Sequence, residues 1–195
     1  VRRAVALCAL AALALSPTPA LAHTGAGVIG GFASGFLHPL AGADHMLAMV
    51  AVGIWGSQLG APMVWMLPVT FPLVMALGGV LGVRGVPLPG VEIGVAASAL
   101  LLGAMILFAA RPPRWAAMMA VGVFAVFHGY AHGSELPNAA SPLAYGCGFV
   151  LTTGMLHVTG IAIGLIHRRP SGAVALRGLG ALIAAGGVYF VVQAL

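Results

Sequence analysis

Lysine is missing from this chain altogether, and only three residues carry a carboxylate: Asp44, Glu92 and Glu135. Charged residues make up 6% of its 195 positions, against about 25% in a soluble domain. So few charges cannot cover a water-facing surface, which excludes a soluble globular protein. Cysteine occurs twice, as Cys8 and Cys147, far apart and in unlike contexts. That excludes a disulfide framework and a CxxC metal site, and Cys147 reads as a small packing residue. All eight cations are arginine, placed at the ends of apolar runs, where topology signals belong. They form no nucleic-acid surface, and no nucleic-acid partner is expected. A phosphate-binding G-x-x-x-x-G-K-[ST] loop is also lacking, which excludes a pump that hydrolyses ATP itself.

What is present is apolar. Hydrophobic residues reach 61% and the mean hydropathy is +1.10, so the chain is an integral membrane protein with the lipid bilayer as its surroundings. Residues 1–22, VRRAVALCALAALALSPTPALA, show Arg2 and Arg3, a short apolar run and a terminal Ala-Leu-Ala. That order is the pattern of a cleavable signal peptide. The apolar run is too short for about 30 Å of hydrocarbon. Cleavage after Ala22 would leave residues 23–195 as one transmembrane helical bundle. His23 would then be the mature N-terminus, either frayed or able to chelate a metal through its amine and imidazole.

Five later runs, roughly 62–82, 90–110, 115–132, 142–166 and 174–194, are long enough to span or nearly so. Arg111 and Arg114 mark one short loop, Arg168 and Arg169 another, and the positive-inside rule puts both in the cytoplasm. Arg84, on a loop of the opposite side, is outvoted. A periplasmic N-terminus then requires an odd number of crossings before residue 58. The reading that satisfies this parity is a Gly-rich, non-crossing or partly inserted helix over 25–37, a break at His38-Pro39 and a crossing from about Asp44 to Gly60. The expected fold is an all-α polytopic membrane protein. It has about six transmembrane helices plus a broken or partly inserted N-terminal helix, in the bacterial inner membrane with both mature ends periplasmic.

Against that background HPLAGADH, residues 38–45, stands out. So does FHGYAHGSE, residues 127–135. In the second, His128, His132 and Glu135 recur at i, i+4 and i+7, one face of a helix. Gly129 and Gly133 between them either let another helix approach closely or fray this one. Glu92 opens the run after Arg84, so all three carboxylates fall at the same end of the bundle as His38, His45, His128 and His132. Taken singly, each has a plainer reading. Asp44 suits a helix N-terminus, His45 an interfacial hydrogen bond, Glu92 a pair with Arg84 and Glu135 open water. Taken together they point to a cation site, because ionisable groups inside membranes mark ion pathways. Imidazole with carboxylate suits divalent first-row metals. Met46 and Met49 near His45 would suit copper(I), but methionines in an apolar bundle mainly fill gaps. His157 lies deep in its run, as a further relay or an interhelical hydrogen bonder. His167, beside Arg168 and Arg169, reads as a cytoplasmic end group.

The two motifs resemble those of the HupE/UreJ family of bacterial nickel permeases, HPxxGxDH and FHGxAHGxE, without a departure. The signal, length and span count extend the resemblance over essentially the whole chain. It implies uptake of Ni²⁺, with Co²⁺ as the other candidate, and an indirect link to hydrogenase or urease maturation. It implies His38, Asp44, His45, His128 and Glu135 as functional residues, with Glu92 carried over beside them. Phe71, in VTFPLV, matches a family aromatic position with a packing or gating role. No permanently bound cofactor is expected and no enzymatic activity; the metal is cargo. The competing readings are a membrane-embedded metal-binding protein or metalloenzyme without transport.

Overall fold

Hydrocarbon offers the backbone no water to bond, so an apolar chain must close its hydrogen bonds within helices. Described residues are 27–135, 141–169 and 171–195; residues 1–22, read from the sequence as a signal peptide, and His23 lie outside them. In this computed structural model they form α1 (Gly27–Ala41), α2 (Ala43–Leu59), α3 (Met63–Val83), α4 (Val91–Leu107), α5 (Arg114–Ser134), α6 (Pro142–Gly164) and α7 (Gly172–Gln193). A 3-10 turn, Leu165–Arg168, closes α6. The all-helical membrane architecture read from the sequence is present.

Helices α3, α5, α6 and α7 are long and apolar enough to cross a membrane, and the bent pair α1–α2 adds a fifth candidate. Helix α4 is apolar but has 17 residues, about 26 Å at 1.5 Å per residue. Large side chains such as Trp65, Leu73, Phe108, Trp115 and Leu182 point outward, as they do in a lipid-facing shell. Cys147 is exposed too, a correction to its reading as a packing residue.

Proline does not make the corner between α1 and α2. Helix α1 runs through Pro39 to Ala41, and the axis turns by 81° at the following residue. Pro39 lacks an N–H, which removes one helical bond, but a single loss near a helix end does not stop it. Gly42 does, with φ −96° and ψ 111° in the extended region. A Cβ there would sit 3.1 Å from Asp44 Oδ1 and 3.1 Å from His45 Nδ1. The break expected at His38-Pro39 is therefore corrected to Gly42, and His38 belongs to the end of α1.

Helix α1 packs on the first half of α6, where Gly35 meets the Tyr145 backbone and the Thr152 hydroxyl donates to the Phe36 carbonyl at 2.7 Å. Helix α2 packs on the second half, with Gly53 against His157 and Gly160. Helices α3 and α5 run side by side in the same direction. Gly129 and Gly133 of α5 press on the backbone of Met75 and Gly79; of the two readings of these glycines, close approach is the one observed. Helices α4 and α7 are antiparallel, meeting through Gly103, Gly180 and Gly187.

The result has two unlike ends. Asp44, Glu92, Glu135 and Gln193 gather around one cavity of about 400 Å³. At the other end, carbonyls at and just beyond the end of α4 accept from side chains. Trp55 donates to Ala110, Gln58 to Ile106 and Arg177 to Leu107, at 3.1, 3.4 and 2.9 Å. His167 donates to the Gly164 carbonyl at 2.7 Å, as suits a helix-end group. Between the two ends lies a core built on Met49, Ile54, Trp55, Leu67 and Phe71.

Candidate metal centre

Four histidines from three helices converge just beneath the carboxylates. His38 ends α1, His45 opens α2, and His128 and His132 lie one turn apart on α5. Their rings touch in sequence: His38 to His132 at 4.7 Å between centroids, His132 to His45 at 4.4 Å, and His45 to His128 at 4.7 Å. One potential ligand atom from each of His45, His128 and His132 lies within 4.8 Å of the others, and the same holds for His38, His132 and Glu135. Metal–nitrogen bonds of about 2.0–2.1 Å put opposite ligands about 4.2 Å apart, so both triads need only small adjustments to close on one ion. His132 belongs to both triads, so the more exposed group and the buried one share a ligand.

The hydrogen bonds decide which nitrogens are available. Asp44 Oδ1 accepts from the His45 backbone N–H at 2.8 Å and from His45 Nδ1 at 2.9 Å. That holds the proton on Nδ1 and leaves the Nε2 lone pair free. His128 is fixed the other way. The Ser98 hydroxyl donates to the Val95 carbonyl at 2.6 Å, so its oxygen accepts from His128 Nε2 at 2.8 Å. The Nδ1 lone pair of His128 is then free. A histidine ligand whose other nitrogen is held by an oxygen acceptor is the usual arrangement in metal sites. His45 Nε2, His128 Nδ1 and both nitrogens of His132 are buried and find no hydrogen-bond partner among the described residues. Buried polar groups without a partner are costly, and a cation in the cluster would take the lone pairs of His45 Nε2, His128 Nδ1 and one nitrogen of His132.

Glu135 caps α5 and comes within 3.7 Å of His38 Nε2; its side chain is 64% exposed, as expected of a group that meets an ion arriving in water. Glu92 is exposed and stays outside both triads. It lines the 400 Å³ cavity with Asp44, His45 and Glu135. No ion pair joins it to Arg84 among the described residues, so the plainer reading of Glu92 finds no support. Phe71 is fully buried and packs its ring against His128 on one side and His157 on the other, at 5.4 and 5.5 Å. His157 is deeper in the bundle and outside the cluster.

Ser98 was not singled out by the sequence. It is a lone hydroxyl in the run VEIGVAASALLL, and only its contact with His128 shows a role. Tyr145 is a second such residue: it is buried, its hydroxyl has no hydrogen-bond partner among the described residues, and its ring lies 5.8 Å from that of His38.

The HupE / UreJ protein family model matches residues 10–190. Protein HupE of Rhizobium leguminosarum bv. viciae is 42% identical over 184 residues, which cover 94% of this chain and 95% of that protein. No solved structure matches. Aligned with a family model over most of its length and with a curated relative almost end to end, the chain belongs to the HupE/UreJ family.

Proposed function

We propose that this protein is an inner-membrane permease that takes up a divalent first-row cation, Ni²⁺ with Co²⁺ as the nearest competitor, from the periplasm. The observation that carries the reading is the set of free, buried imidazole nitrogens lying directly below a cavity walled by every carboxylate in the chain. Asp44, Glu92 and Glu135 draw the hydrated ion in and offset its charge. His38 with Glu135 and His132 takes the first hold, and His45, His128 and His132 replace part of the water shell. Imidazole and carboxylate are ligands that nickel and cobalt accept, and the lack of thiolate disfavours soft metals.

Family membership supports transport over static binding, since HupE/UreJ proteins are generally nickel or cobalt transporters associated with hydrogenase and urease. The arginine pattern supports an orientation with the carboxylate cavity in the periplasm and Arg111, Arg114, Arg168 and Arg169 in the cytoplasm. In that orientation α4 is the short sixth crossing, and both mature ends are periplasmic. An inside-negative potential favours entry by about 2.3 kcal/mol per charge per 100 mV, about 4.6 kcal/mol for a dication. Facilitated diffusion therefore needs no ATP.

Purified protein in lipid vesicles, supplied with ⁶³Ni²⁺ under an inside-negative potential, tests the proposal. Accumulation of nickel is expected, and competition by Co²⁺, Cu²⁺ and Zn²⁺ ranks the cations the site accepts. Vesicles that bind nickel at the outer face without accumulating it would point to a metal-binding protein instead.

A further inference from the structure

The unpartnered polar atoms do not stop at the histidine cluster. His157, on α6, is 1% exposed, and neither ring nitrogen has a hydrogen-bond partner among the described residues. Thr153, one turn back on the same helix face, is fully buried with its hydroxyl also unpartnered. Across from His157 is the carbonyl of Pro68. Its helical partner would be the N–H of residue 72, but that residue is Pro72 and has none. The Pro68 carbonyl lies beside the His157 ring, short of hydrogen-bond geometry. On the third side, α2 comes so close at Gly53 that a Cβ would overlap the His157 carbonyl. Deeper still, Ser57 is buried with its hydroxyl unpartnered.

An imidazole shut into a membrane core without a hydrogen bond to either ring nitrogen is costly. Packing alone would be served better by Leu or Phe. Its position adds a second argument. Phe71 is the ring that touches both His128 and His157, so the buried end of the cluster and His157 face each other across one aromatic side chain.

We propose that His157 is an inner station for the transported cation, reached past the Phe71 ring, with the Thr153 hydroxyl and the Pro68 carbonyl as oxygen donors. This rests on the permease reading above. Every donor at this station is neutral, whereas the outer cluster includes Asp44 and Glu135. The inner hold is therefore weaker, which suits a site from which the ion must leave, because conduction requires exit as well as entry. Rotation of the Phe71 side chain is the movement that joins the two stations.

Equilibrium dialysis of the purified full-length protein against NiCl₂, paired with ⁶³Ni²⁺ uptake in vesicles, tests the proposal. The two outer triads share His132 and count as one ion. Wild type should bind two ions per chain. His157→Gln should bind one, keep the tighter site and take up nickel at least tenfold more slowly. Two-ion binding with wild-type uptake in His157→Gln overturns the station. Loss of both sites would mean that this variant has not kept its fold. Thr153→Val, which exchanges a hydroxyl for a methyl of the same shape, then decides. It should weaken the second ion several-fold, and an unchanged second affinity overturns the proposal. A wild type that accumulates nickel while binding one ion per chain removes the inner station and leaves the permease standing. A wild type that accumulates none removes both.

Discussion

Asp44 and Ser98 do opposite things to two neighbouring imidazoles, and the site depends on both. Asp44 holds a proton on Nδ1 of His45, and Ser98 holds one on Nε2 of His128, so each ring presents its remaining lone pair to the cluster. Ser98→Ala removes the acceptor and leaves His128 free to take the wrong tautomer. Loss of such a supporting contact costs 10–100-fold in metal affinity. A tenfold or greater fall in nickel affinity, with the protein still folded, is expected by equilibrium dialysis. Asp44→Asn can still accept from His45 but carries no charge, so it should bind more tightly than Asp44→Ala and less tightly than wild type. Protonation acts on the same lone pairs. A neutral imidazole binds metal and an imidazolium cannot, so acid strong enough to protonate the cluster removes ligands and slows uptake. Initial rates of ⁶³Ni²⁺ entry over a descending pH series check this, and a rate that held while the cluster became protonated would contradict imidazole ligation. His38, Asp44, His45, His128, His132 and Glu135 were legible in the sequence because polar groups are costly in hydrocarbon and therefore conspicuous. Ser98 was not, because a lone hydroxyl among apolar residues can also be satisfied by its own helix.

At the scale of the helix, the site depends on how closely backbones approach. Gly133 lies against the Gly79 backbone and Gly129 against Met75, which brings α3, and with it Phe71, up to the α5 histidines. Gly133→Leu forces α3 away. Overpacking of this kind costs about 1–3 kcal/mol, to be read as earlier unfolding in a denaturant titration in detergent micelles, with nickel binding weakened in whatever protein stays folded. Gly42→Ala is a gentler probe, since its methyl would crowd Asp44 Oδ1 and His45 Nδ1. It should weaken nickel binding while leaving the unfolding midpoint nearly unchanged. Helix positions were legible from apolar runs and their punctuation: the run 142–166 corresponds to Pro142–Gly164 with its 3-10 extension, and 115–132 to Arg114–Ser134. The corner was placed three residues early. Proline announces a break in sequence, whereas the helix here breaks at Gly42, where a Cβ would crowd Asp44 Oδ1 and His45 Nδ1, a contact that depends on how those side chains turn and that the apolar pattern does not display.

The whole molecule is polarised. Carboxylates and the histidine cluster lie at one end, and Arg111, Arg114, Arg168, Arg169 and Arg177 lie towards the other. That asymmetry was legible because, Arg84 aside, the loop arginines and the intramembrane acids occur in separate stretches of the chain. The order in which helices touch was not. Nothing local says that α1 and α2 share the two halves of α6, or that Phe71 of α3 meets both His128 of α5 and His157 of α6, since these contacts join residues 57 and 86 positions apart. In the proposed permease the cation crosses the membrane through the histidine cluster, and His132 is the residue common to both triads. ⁶³Ni²⁺ accumulation is therefore to be compared in vesicles holding equal amounts of folded wild type or His132→Gln under an inside-negative potential. Accumulation by wild type and an at least tenfold slower rate for His132→Gln are expected; equal rates in the two would rule out passage through the cluster.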